Sequence, residues 1–181
     1  MASCPRCRGR SLSPTLLAEG LPAKGCKSCG GVLLDLLSYR AWADQAGIDA
    51  AARNESRSSV QSDDTSHAIS CPNCSAVMTK VRVSASMDNK LDFCANCDEV
   101  WLDGGEWKQL QDLGLRKSLG AVFTEPWQRR VRKEIAEHKR EELLRRRFGE
   151  DFARLAEIRK LVQEHPQYEH ILAWFGDRSD R

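Results

Sequence analysis

All eight cysteines of this chain fall in Cys-x-x-Cys pairs: Cys4 with Cys7, Cys26 with Cys29, Cys71 with Cys74, and Cys94 with Cys97. Two sulfurs at that spacing can sit on one tight turn of backbone. Two such turns brought face to face offer four donors at the corners of a tetrahedron, the arrangement that structural zinc takes. The same pairs could instead cross-link as disulfides or carry redox chemistry. The N-terminal stretch MASCPRCRGR has no apolar run of the kind that begins a secretory signal. A reducing, cytoplasmic setting is therefore expected, in which thiols persist and thiolates take soft metal ions. Zinc is the leading ion; iron in a rubredoxin-like site would use the same two-pair set.

The pairs belong to an internal repeat. Superimposing residues 4–42 on 71–110 matches CPRC to CPNC, CKSC to CANC, and CGGVLLDLLSYRAW to CDEVWLDGGEWKQL. Each copy is CPxC, then 18 or 19 residues, CxxC, and an apolar stretch containing Leu-Asp. In the second copy Val77, Thr79, Val81 and Val83 alternate with Met78, Lys80, Arg82 and Ser84. A turn-prone Met87-Asp88-Asn89 follows, and then Leu91 and Phe93 alternate with Lys90 and Asp92. Period two on both sides of a turn predicts a β-hairpin. A lone hairpin is marginal in water, so metal must supply the folding free energy, on the order of 10 kcal/mol for structural zinc. Asp103 with Glu106 three residues on predicts a helix starting there and ending near Gly114. The corresponding helix of the first copy is expected from about Asp35 to Gln45, with a more apolar surface.

Both copies resemble the transcription-factor-IIB-type zinc finger, a bacterial zinc-ribbon family with the pattern CPxC, hairpin, CxxCGGxWLDxGEL. Trp101, Leu102, Asp103, Gly105 and Glu106 of the second copy match it, with Asp98-Glu99 in place of Gly-Gly. The first copy keeps Gly30, Gly31 and Asp35 but has Leu33 for the tryptophan. The resemblance covers under half of the chain. It implies Cys4, Cys7, Cys26 and Cys29 as ligands of one zinc ion, and Cys71, Cys74, Cys94 and Cys97 as ligands of a second, with no attached catalysis. A ribbon shared with a transcription factor does not by itself make a promoter-binding protein.

The charges near the two cysteine sets differ in sign. Arg6, Arg8, Arg10, Lys24 and Lys27 flank the first, whereas Asp92, Asp98, Glu99 and Asp103 flank the second. Because four thiolates around a divalent ion carry net negative charge, the second centre is expected to give up its metal at higher pH and to oxidants more readily.

These readings give the fold class expected: a small metal-stabilised α+β protein, two zinc ribbons followed by a long charged helical tail. Ribbon 1 is placed at residues 1–50, a flexible linker at 51–69, ribbon 2 at 70–114 and the tail at 115–181. The serine-rich segment NESRSSVQSDDTSH at 54–67 reads as a flexible linker, leaving the ribbons to move independently unless the apolar helix of the first docks on the second ribbon or the tail. His67 is read as a solvated residue, not a substitute ligand. Pro126 opens the tail helix, Gly149 marks a kink or break, and Pro166 a stop. Tyr168, Ile171, Leu172 and Phe175, with Trp174 beside them, form a candidate docking segment.

The function classes narrow accordingly. Sealed four-sulfur sites leave no open position for catalysis, and no phosphate loop or nucleophile elbow is present, so no enzyme and no small-molecule substrate are expected. No apolar run is long enough for a membrane span. The basic clusters Arg129-Arg130 and Arg145-Arg146-Arg147 invite nucleic acid. However, residues 126–181 hold 14 Lys/Arg against 11 Asp/Glu, and the whole chain is only +2. A protein partner or self-association is therefore favoured, with nucleic acid the weaker possibility. The overall expectation is a non-enzymatic zinc-binding adaptor, with a redox- or metal-responsive zinc–thiolate switch as the alternative.

Overall fold

The computed structural model describes residues 2–7, 9–45 and 67–177. Arg8 and residues 46–66, most of the segment read as a linker, lie outside them. The chain divides into two compact units, Met1–Glu134 and Ile135–Arg181.

The first repeat supplies β1 (Ser13–Ala18), β2 (Leu21–Gly25), β3 (Val32–Asp35) and helix α1 (Leu36–Gln45). The second supplies β4 (Thr79–Arg82), β5 (Lys90–Cys94), β6 (Glu99–Leu102) and α2 (Glu106–Asp112). Each repeat is thus a three-stranded antiparallel meander with a helix behind it, one strand more than the hairpin expected. The missed strands are VLLD and EVWL, short apolar runs of the type that a central strand covered on both faces requires. All four residues of β6 are buried.

The expectation of two separate ribbons does not describe the molecule. The six strands form one antiparallel sheet in the order β1-β2-β3-β6-β5-β4, so the repeats join through β3 and β6. Their register pairs Val32 with Leu102, Leu33 with Trp101, Leu34 with Val100, and Asp35 with Glu99. Leu33 and Trp101 are also equivalent positions of the two repeats. An approximate two-fold axis therefore passes between them, and the pair Val32–Leu102 reappears on its other side as Val100–Leu34. The physical reason is edge protection: a three-stranded meander that ended at β3 would leave an apolar edge unpaired, and the sister edge covers it.

Alternation along the strands sends successive side chains to opposite faces. One face carries Leu34, Val81, Leu91, Val100 and Leu102, covered by Leu36 and Tyr39 of α1, Leu110 of α2, and Leu119 and Val122 of α3 (Leu119–Val122). The segment that leads into the tail helix therefore contributes core. Next comes α4 (Glu125–Phe148), whose Trp127 Nε1 donates to the Val83 carbonyl at 2.9 Å and whose Gln128 Nε2 donates to that of Arg82 at 2.9 Å. These side chains serve edge carbonyls next to β4. The opposite face carries Leu33 and Trp101 and, beside them, the cysteines.

The helix starts differ from expectation in an instructive way. In the first repeat the Ser38 amide donates to Asp35 Oδ1 at 2.6 Å, an N-cap built by one residue. In the second repeat Asp103 accepts instead from the indole nitrogen of Trp101 at 2.9 Å, and α2 begins later, at Glu106, with left-handed Gly105 before it. Glu106 completes its half of the box, accepting the Asp103 amide at 2.7 Å. Strand β4 also begins later than the alternation suggested: Val77 is 71% exposed, while Met78 is buried among the cysteines.

In the second unit the tail helix breaks at the expected Gly149 and has three parts: the remainder of α4, a 3-10 turn at Gly149–Asp151, and α5 (Phe152–Glu164). Gly149 adopts a φ of 55°, a left-handed conformation that costs glycine little and interrupts the helix. Helix α6 (Tyr168–Gly176) follows Pro166. Trp174 and Phe175 stack there at 5.3 Å and are 70% and 61% exposed. Among the described residues no helix is long and apolar enough to cross a membrane.

Candidate metal centres

Each repeat gathers its own four sulfurs. Cys4, Cys7, Cys26 and Cys29 form one group and Cys71, Cys74, Cys94 and Cys97 the other, with all donor atoms of a group within 4.8 Å of one another. Two ligands about 2.3 Å from a tetrahedral zinc stand about 3.7 Å apart. The Cys4–Cys29 sulfurs are 3.7 Å apart and the Cys74–Cys94 sulfurs 3.5 Å. The residues present thus fit a zinc or iron ion of four thiolate ligands, and neither group mixes sulfurs of the two repeats.

Tight backbone turns hold the pairs. The Gly30 amide donates to the Cys26 carbonyl at 2.9 Å and the Ser75 amide to that of Cys71 at 2.9 Å. Amides also point at sulfur: that of Cys7 toward Cys4 Sγ at 3.3 Å and that of Asn73 toward Cys71 Sγ at 3.4 Å. Such donors stabilise thiolate over thiol. Gly30 has a φ of 70° and its counterpart Asp98 a φ of 54°. Aspartate tolerates this left-handed position better than most side chains, which is how Asp98 can stand where the first repeat has Gly30.

Burial and local hydrogen bonds spread the proton affinities of the thiols within each group. Burial pushes Cys29 and Cys71 up to about 12. Burial also raises Cys26, but the amides of Cys29 and Ser28 and the neighbouring thiols outweigh it and bring Cys26 down to about 6. Cys74 is lowered to about 7, chiefly by the Ala76 amide. Four thiolates this close become stable together only around a positive ion, and its binding releases protons.

The two centres share an apolar floor. Cys4, Cys26, Cys71 and Cys94 are buried in one cluster with Leu33, Met78, Ile69 and Trp101, the last fully buried. Contacts across the axis are close. A Cβ on Gly31 would lie 2.3 Å from Trp101 Cζ2, and one on Gly104 would lie 2.7 Å from the Cys29 carbonyl oxygen. The Leu36 amide donates to the Asp98 carbonyl at 2.9 Å. The second turn of each cage thus packs against the strand–helix junction of the other repeat.

The flanking charges are mostly committed elsewhere. Asp92 pairs with Lys80 at 3.0 Å, Asp98 with Arg40 at 2.7 Å, and Asp103 accepts from Trp101. Of the four acids read as flanking the second centre, Glu99 is the one that the structure brings to a sulfur: its Oε2 lies 3.5 Å from Cys71 Sγ. No local spacing signals that contact, which depends on how β6 lies against the Cys71 turn. His67 stays outside both sulfur groups, exposed at the rim of a polar cleft between the CPRC and CPNC turns with Ser3 and Ser70.

Residues 3–45 match the protein-family model described as "Transcription factor zinc-finger". The match covers the first repeat; the second four-cysteine group, at 71–97, rests on its geometry. No curated protein and no solved structure matches the chain. Together, the family match and the two four-cysteine groups point to zinc binding.

Proposed function

We infer that this chain is a non-enzymatic zinc-binding adaptor, in which two Cys4 centres staple a six-stranded sheet and the helical tail engages a macromolecular partner. The observation that carries the reading is the pair of closed sulfur groups on one face of a continuous sheet. With cysteine at every corner of the tetrahedron, the metal's work is to hold structure and not to activate a substrate. The Cys4, Cys7, Cys26 and Cys29 set would hold one ion, and the Cys71, Cys74, Cys94 and Cys97 set the other.

The exposed aromatic pair Trp174–Phe175 on α6, with Leu172 at 46% exposure, supports a protein partner or self-association over nucleic acid. The tail's arginines support this as well. Arg145 and Arg146 pair with Glu141 and Glu142 one helical turn away, which leaves less free charge for phosphates. A role in transcription is the narrower form of the same proposal, and it rests on the family match alone.

Native mass spectrometry of the full chain tests the metal half, with two zinc ions per chain expected. The adaptor half is tested by light scattering of the full chain beside W174S/F175S, together with cross-linking in native cytosol. Loss of a self-associated or cross-linked species in the variant is the expected result; a flat response in both measurements removes the tail from the interaction. A second reading, a thiol switch, is supported by the exposure of Cys74. Full retention of zinc and thiols after mild peroxide would exclude it.

A further inference from the structure

Glu99 begins β6 two residues after Cys97, on the face that carries Trp101 and the cages. It is 6% exposed, and its Oε2 lies 3.5 Å from Cys71 Sγ. Its counterpart in the first repeat is Gly31, where a Cβ would collide with Trp101. The first repeat therefore has no carboxylate at this position, and packing across the axis leaves no room for one there.

In the metal-free chain a Cys71 thiol can donate to that carboxylate. The spacing is informative as well. A sulfur and a carboxylate oxygen bound to one tetrahedral zinc, at about 2.3 and 2.0 Å, stand about 3.5 Å apart. Glu99 is thus already one ligand spacing from Cys71. The solvent side differs too: Cys74 is exposed, whereas no cysteine of the first group is fully exposed.

We propose that the second centre is a metal-exchange site and that Glu99 is its transfer ligand. The zinc–sulfur bond to Cys71 breaks as a zinc–oxygen bond to Glu99 forms. One anionic donor replaces another, and the Cys71 sulfur leaves as the free thiolate. The ion, now held by three sulfurs and a harder, weaker donor, passes on the Cys74 side to an acceptor with thiolate or nitrogen donors. The first centre keeps its ion.

This inference rests on the zinc-binding reading, and one experiment separates the two. The zinc-loaded full chain is mixed with excess 4-(2-pyridylazo)resorcinol and release is followed by absorbance. Two phases of one ion each are expected, the faster one altered by Cys71→Ser. Glu99→Gln should slow the fast phase roughly tenfold or more and leave the slow phase unchanged. Glu99→Asp, which keeps the charge but shortens the reach, should fall between, and it serves if the glutamine variant misfolds. In the cobalt-loaded protein, Cys71→Ser should retain a second ion with a three-thiolate absorption spectrum that is lost on adding Glu99→Gln. A chain that binds no metal overturns the zinc reading itself. A chain that binds two ions but releases them at one rate, or with a fast phase indifferent to Glu99, overturns the exchange role only.

Discussion

Leu33 and Trp101 stand directly opposite each other in the β3–β6 ladder, and they are the same position of the two repeats. The larger of the two side chains reaches over Gly31 of the sister repeat, where a Cβ would sit 2.3 Å from its ring. Gly31→Ala should therefore destabilise the zinc-loaded protein by about 1–3 kcal/mol through overpacking. Urea unfolding followed by circular dichroism measures the loss. Adding Trp101→Leu should recover part of it, because the obstructing ring is gone; a double variant at least as unstable as the sum of the singles would contradict this contact.

Gly104 belongs to the second repeat but lies against the first cage, where an added Cβ would come within 2.7 Å of the Cys29 carbonyl oxygen. Backbone cannot swing away as a side chain can. Gly104→Ala should lower metal affinity at the first centre, although it touches no first-repeat residue in sequence. Competition of the zinc-loaded full chain against a chelator reads the effect, with the more slowly released ion expected to leave sooner in the variant.

Removal of metal should unfold the sheet and not only the turns. Structural zinc contributes on the order of 10 kcal/mol, and a three-stranded half-sheet has too little core to replace it. Because β3 and β6 share one ladder, Cys94→Ser should loosen the first repeat as well. Chelation is expected to shift tryptophan emission to the red as the fully buried Trp101 meets water, with reversal on adding zinc back.

Tyr39 ties α1 to the segment before α3: its hydroxyl donates to the Arg116 carbonyl at 3.0 Å and accepts the Leu119 amide at 2.9 Å. Burial pushes the phenol from 10.0 up to about 12. A group whose folded value is raised contributes stability that is complete below its unfolded value. That stability declines as the pH climbs through the folded one, here between 10.0 and about 12. Tyr39→Phe should cost about 1–3 kcal/mol at pH 9, by leaving the Leu119 amide unpaired. The difference between wild type and variant should shrink by about 2 kcal/mol across that alkaline window. Denaturant titrations at both ends of the window provide the comparison, and a constant difference would count against the buried phenol.

Much of the site was legible because chelation is local. A CxxC pair needs one turn, and two pairs separated by 18 or 19 residues leave room for one hairpin, so the grouping of sulfurs by repeat follows from spacing. The pairing of Thr79 with Phe93 and of Val81 with Leu91 likewise follows from period two around a turn. The tail helices follow from helix formers interrupted by Gly149 and Pro166.

What the chain order could not reveal is decided by partners far apart in sequence. Nothing within either repeat says that β3 and β6 will pair, since an unsatisfied strand edge states a need without naming who meets it. That one pairing places Trp101 between the cages and demands glycine at 31. Asp103 was expected to cap a helix from its own position; it accepts the buried Trp101 indole, a donor costly to leave unpaired, and the helix begins later, at Glu106. Glu99 was one acid among four until the sheet, by aiming alternate β6 side chains at the cage face, set its carboxylate beside Cys71. Ligand identity is a property of residue type and short-range spacing, whereas the difference between two centres of the same four ligands comes from what the tertiary fold packs around them.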